Sequence, residues 1–167
     1  QQQAFKQSYE DETLDAVNLL LPMMGFIEGT DPRMISTIDA TIEHLVTNGL
    51  CYRYHKIASE TKGNEASFVL CTFWLINALI LADRVDEAAA WFDQMLTRST
   101  SLGLFAEEID PKTGEQLGNF PQAISHVGVI NVAVSLAHAG HTGQVSAHSK
   151  AAADAAGRGG SGIGRSR

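Results

Sequence analysis

Residues 104–126 read LFAEEIDPKTGEQLGNFPQAISH and place Glu107, Glu108 and Asp110 side by side. A Pro-Lys-Thr-Gly turn follows, and Asn119-Phe120-Pro121 then opens a new apolar segment. Carboxylates this close repel one another, and a chain with no use for them tends to spread them out. Positioned carboxylates do the work of general acids and bases. By composition alone, the same run also reads as a solvated acidic loop.

A chain of 167 residues with 44% apolar content suits one domain with a core of its own. The net charge of −7 disfavours a nucleic acid or an anionic membrane as partner. The longest apolar run, residues 68–82, is interrupted by Cys71, Thr72, Trp74 and Asn77, and is too short and mixed to span a bilayer. Cys51 and Cys71 form no metal-ligand spacing and read as reduced, half-buried thiols, which fits a cytoplasmic protein. No metal or cofactor is implied. No signal-peptide pattern opens the chain, and a start at Gln1-Gln2-Gln3 without Met suggests the later part of something longer.

The elements that must position these residues are helical hairpins. A first helix is expected over residues 11–21, with Leu14, Val17 and Leu21 on one face and Pro22 against its continuation. Asp31-Pro32 is an N-cap followed by proline at the first helical position. Ile35, Ile38, Ile42 and Leu45 make the stripe of that second helix, and Asn48-Gly49 reads as its stop. Residues 50–54 alternate like a short extended piece. Residues 68–82 are apolar nearly all round, as in a helix buried on most sides. Residues 84–97 form an amphipathic helix through Val85, Ala88, Phe92 and Met95. Residues 121–138 are again mostly apolar, through Ile124, Val127, Ile130, Val134 and Ala137. From about Gly143 the chain turns to Gly, Ala, Ser and Arg and is expected to be a disordered tail, giving a division at 1–142 and 143–167.

The connections differ in length. The link at Asp83 is tight, whereas those over residues 49–67 and 99–120 far exceed the ~4–6 residues usual in compact domains. In a ring of alternating outer and inner helices, every outer-to-inner link leaves on the same rim. Each long link here joins an amphipathic helix to a mostly apolar one. Arg53 and Glu107 are therefore expected on one face.

The block from Glu107 to His126 resembles the catalytic-base region of glycoside hydrolase family 15, the glucoamylase and bacterial trehalase group. The similarity extends over residues 14–136. Its further marks are Leu14-Asp15-Ala16, the Tyr52-Arg53-Tyr54 triplet, Glu65-Ala66-Ser67-Phe68-Val69-Leu70-Cys71-Thr72-Phe73-Trp74-Leu75, and Arg84-Val85-Asp86-Glu87-Ala88. Departures are modest: Glu65-Ala66-Ser67 stands where the family often has Glu-Gly-Ala or Glu-Gly-Thr, and Ile124 replaces a common Phe. The resemblance implies an all-α fold in which helical hairpins form part of an (α/α)6 toroid.

It also implies an inverting hydrolase of α-glucosidic bonds, acting on trehalose or malto-oligosaccharides and releasing glucose. Such enzymes pair a carboxylic acid that protonates the leaving oxygen with a carboxylate that activates water on the opposite sugar face. Glu107 matches the base. Arg53 matches an arginine that binds the terminal glucose, a task suited to a planar donor fork. Glu108, Glu65 and His126 are further candidates for lining the substrate site, while Glu108 and Asp110 also suit loop-capping roles. The family's general acid belongs upstream, so the missing N-terminal part of the same domain is the expected partner, and activity of this chain alone is not expected. Two rival readings are a helical-repeat interaction module, suggested by residues 82–88, and another (α/α)6 sugar enzyme such as a glycoside phosphorylase. The chain has no 30–50-residue period for the first, and no basic or Gly-Ser-rich phosphate loop near Glu107 for the second.

Overall fold

A computed structural model describes residues 4–8, 13–54 and 66–140. Glu65 and the tail from residue 143 lie outside the described residues, as does most of the 49–67 link.

Helix α1 (Pro32–Leu45) begins as its sequence dictates: the Asp31 carboxylate accepts from the Arg33 N–H at 2.9 Å, and Pro32 occupies the first turn. Met34, Ile38 and Leu45 are buried, with Ile35 and Ile42 packed at the edge of the core. The helix stops earlier than Asn48-Gly49 suggests. Those two residues take positive φ (50° and 73°) and form the turn of a hairpin between β1 (Val46–Thr47) and β2 (Leu50–Cys51). Asn-Gly serves a two-residue hairpin as readily as a helix end, and the β-branched pair Val46-Thr47 tips the balance.

The expected first helix is only a 3-10 turn, Ala16–Leu20, and residues 11 and 12 lie outside the described part. Asp15 caps it by accepting from the Val17 N–H at 2.8 Å. Leu14 and Leu21 of the expected stripe pack against the core, but Val17 does not, and Ala16 and Leu19 are the fully buried residues instead. Pro22, with no N–H, denies the turn an α-type bond at its end.

Helix α2 (Val69–Leu81) is the hub, packing against α3 (Val85–Leu96), α4 (Ala123–His138) and the 3-10 turn. Its Phe73 ring meets Phe92 and Phe105 edge-on, with centroids 6.4 and 5.7 Å apart. Fully burying one such ring stabilises by about 1.5–3 kcal/mol. A tight link holding Asp83 at φ 65° turns α2 into α3, whose Ala88, Phe92 and Met95 are buried as expected.

Helix α4 departs from expectation in an informative way. Ile124, Val127, Ile130 and Val134 point outward, 48–60% exposed, whereas Ser125, Gly128, Val132 and Leu136 face α2. The helix is apolar all round, so periodicity could not choose a face. Close approach chose it: a Cβ at Gly128 would stand 2.9 Å from Phe73 Cδ2.

The long links also carry short strands. β3 (Ser67–Phe68), β4 (Glu108–Ile109) and β5 (Gln116–Leu117) form an antiparallel sheet, with Phe68 opposite Glu108 and Glu108 opposite Leu117. The two links meet at one end of the helices: Ser67 pairs with Ile109 across β3 and β4, and Asn48 Nδ2, just before the first link, donates to the Pro111 carbonyl at 2.9 Å. At the other end Gly29 abuts the carbonyl of Leu81, and Arg84 reaches from the α2–α3 link to Asp39 on α1 at 2.6 Å. Chain reversal at every helix thus puts long connections on one rim and short ones on the other. No helix among the described residues is long and apolar enough to cross a membrane.

Candidate active site

Glu107 is clamped from both sides. Its N–H donates to the Asn119 carbonyl and its carbonyl accepts from Val69 at the start of α2, each at 3.0 Å. That second bond satisfies one of the donors that a helix start leaves unpaired. The carboxylate is fixed separately. Oε2 accepts from both the backbone N–H and Nδ2 of Asn119, at 3.1 and 2.9 Å. Gly118, at φ 76°, makes this approach feasible, because a Cβ there would lie 2.9 Å from Oε2 and 3.0 Å from Glu107 Cβ. The segment Gly118-Asn119 is therefore a cradle for the Glu107 side chain.

The neighbouring carboxylates do not share that cradle. Strand alternation turns Glu108 to the opposite face, which it shares with Phe68 and Leu117 in register. Asp110 folds back on its own turn, with Oδ1 accepting from the N–H groups of Lys112 and Thr113 at 2.7 and 3.4 Å. The three acidic residues, within four positions of one another in sequence, point to different surroundings.

Arg53 reaches the same end of α2 by another route. Its strand neighbour Cys51 donates its N–H to Thr72 Oγ1 at 2.9 Å, in the first turn of α2. Arg53 Nε pairs with Asp15 Oδ1 at 3.3 Å, its carbonyl accepts from the Ala16 N–H at 2.7 Å, and its guanidinium carbon stands 5.9 Å from the Tyr54 ring centroid. The side chain remains 46% exposed. His126 contributes differently. Its Nδ1 is 2.7 Å from the carbonyl of Gln122, the residue that opens α4, while Nε2 accepts from the Phe105 N–H at 3.4 Å and ties α4 to the approach to β4.

Several residues that build this end had no role assigned from the sequence: Asp15, Gly118, Asn119, and Gln116, whose Oε1 accepts from the Ala106 N–H at 2.6 Å. Asn119 and Gly118 lay within the quoted motif, but nothing in their types says which carboxylate they hold. Cys51 and Cys71 are fully rather than half buried, and burial raises both thiols, Cys71 to about 12. The described residues contain no cluster of three or more His, Cys, Asp or Glu able to hold a metal. A cavity of about 500 Å³ lies elsewhere, between residues 4–8, Asn18, Leu21 and Phe26, and includes none of the candidate residues.

Residues 1–134 match the family described as Glycosyl hydrolases family 15. The chain belongs to that family. A trehalase of Thermoplasma acidophilum is 42% identical over 139 residues, covering 83% of this chain and 24% of its own length. A trehalase of Mycobacterium tuberculosis is 39% identical over 137 residues, covering 81% of this chain and 20% of its own. The chain thus spans a quarter or less of these relatives. Among solved structures, a wild-type glycosidase and a variant of a glycosidase in complex with glucose each superpose with a TM-score of 0.68 at 15% identity, over 81% of this chain and 39% of theirs. That likeness concerns the fold, and it agrees with the helical hairpins of family 15 forming part of an (α/α)6 toroid.

Proposed function

We propose that this chain is the general-base side of a site that hydrolyses an α-glucosidic bond, with trehalose as the substrate. The cradle around Glu107 carries the reading: two donors of Asn119 converge on Oε2 and hold the carboxylate in one orientation. In the reaction Glu107 takes a proton from water as the water oxygen bonds to the anomeric carbon. A carboxylic acid from the rest of the domain gives its proton to the departing glycosidic oxygen, and the configuration inverts. In inverting enzymes the two carboxyl groups stand ~6.5–9.5 Å apart, leaving room for that water. Arg53, on the same rim, binds a sugar hydroxyl. Glu65 and His126 are the further candidates for contacting the substrate, His126 through the position of α4, whereas Glu108 faces away from the Glu107 cradle. Trehalose is favoured by the names of the relatives at 39–42% identity.

The partner in this reading is the remaining part of the same catalytic domain. The outward face of α4 supports it. Ile124, Val127, Ile130 and Val134 leave a continuous apolar stripe on a helix without a single Asp, Glu, Lys or Arg, and an exposed stripe of that kind marks an interaction face.

The test is Glu107→Gln in the complete protein, read as glucose release from trehalose and from maltose. Loss of the proton acceptor should lower kcat by ~10²–10⁴-fold without changing the melting temperature. Glu108→Gln should cost far less. An active Glu107→Gln enzyme beside a dead Glu108→Gln enzyme would move the base by one residue. Preference for maltose would replace trehalose as substrate.

A further inference from the structure

Asp15 holds two partners at once, one of them remote in sequence. It is among the few buried charged residues of the described part, at 7% exposure. A carboxylate is rarely buried that far without partners. One partner is local: Oδ1 caps the 3-10 turn through the Val17 N–H at 2.8 Å. The other is remote: the same oxygen faces Arg53 Nε at 3.3 Å, thirty-eight positions along the chain. The adjoining backbone repeats the connection, since the Ala16 N–H donates to the Arg53 carbonyl at 2.7 Å. Arg53 is thus gripped twice by one dipeptide, at its main chain and at the inner nitrogen of its guanidinium. A side chain that is 46% exposed would otherwise sample many rotamers.

We propose that Asp15 is a positioning residue that aims the Arg53 guanidinium at the sugar, engaging Nε so that the terminal nitrogens present the donor fork. This rests on the reading of Arg53 as a substrate ligand. A cap alone does not need the charge, because an asparagine oxygen accepts from the Val17 N–H equally well. The bond to Arg53 draws on it, because a charge-assisted bond is roughly twice as strong as a neutral one.

Asp15→Asn separates the two roles. In the complete protein, kcat/KM for trehalose should fall about tenfold, mostly through KM, with the melting temperature nearly unchanged. Arg53→Gln should impair binding at least as much, and the double variant should be no worse than Arg53→Gln alone, as expected for residues acting through one contact. Asp15→Glu, which restores the charge on a longer stem, should fall between Asp15→Asn and the parent. Unchanged kcat/KM in Asp15→Asn beside an impaired Arg53→Gln overturns the inference and leaves the reading of Arg53 standing. Losses that add in the double variant, or that follow a falling melting temperature, also overturn it. An unimpaired Arg53→Gln sinks both.

Discussion

Gly118→Ala is the sharpest probe of the cradle, because it alters no group that could touch substrate. Two costs can be read from the geometry. Gly118 sits at φ 76°, in the left-handed region, where an L side chain costs about 1–2 kcal/mol. The new Cβ would also stand 2.9 Å from Glu107 Oε2 and 3.0 Å from Glu107 Cβ. The carboxylate end can swing away, but Glu107 Cβ is tied to a backbone bonded to Val69 and Asn119, so β4 or the turn must shift. Either response spoils the two bonds from Asn119 to Oε2. A displacement of about 1 Å in a reacting group can cost on the order of 10²-fold in rate. We therefore expect the complete protein to lose about 1–2 kcal/mol of stability by denaturant titration. Glucose release should fall by on the order of 10²-fold, more than partial unfolding can account for. Full activity in Gly118→Ala would refute the cradle as the means of orienting Glu107. So would a rate loss matched by the fraction unfolded.

Three further outcomes follow from the packing and the charges. Ile130, 60% exposed on the outer stripe of α4, should tolerate Asp in this chain alone, whereas Ile130→Asp in the complete protein should lower the melting temperature sharply by burying a charge; unchanged melting there would mean that nothing covers the stripe. Cys51 and Cys71, both raised by burial, should resist thiol-specific reagents at neutral pH in the complete protein and react only under denaturing conditions; rapid labelling of the native protein would contradict their burial. The Arg33 guanidinium beside Asp31 lowers its carboxyl from 3.8 to about 2, so this contribution is present above pH 3.8 and disappears as pH falls through about 2. Asp31→Asn keeps the cap but should flatten that part of the stability–pH curve. An unaltered curve would assign the acid sensitivity to other carboxylates.

Much of the fold was legible because it rests on local rules. Asp31-Pro32 is a start signal whatever surrounds it, and the stripes of α1 and α3 follow from a 3.6-residue period. The long and short links also sorted to opposite rims, because a helix must reverse the chain. Local signals misled where one sequence suits two structures. Asn48-Gly49 ends a helix or turns a hairpin, and Val46-Thr47 decided for the hairpin. The apolar circumference of α4 names no inner face; Gly128 against Phe73 chose it, and that contact exists only once α2 and α4 meet. The family and Glu107 as its candidate base were readable from the motif, since a run of such length and order is itself specific. What holds Glu107 was not. Gly118 and Asn119 face it across a sheet of a few residues, and register belongs to the folded chain. Asp15 finds Arg53 across thirty-eight positions for the same reason. A sequence states which groups are present and which local turns they favour, whereas the partner of a buried charge is decided by whatever the tertiary fold carries within hydrogen-bonding distance.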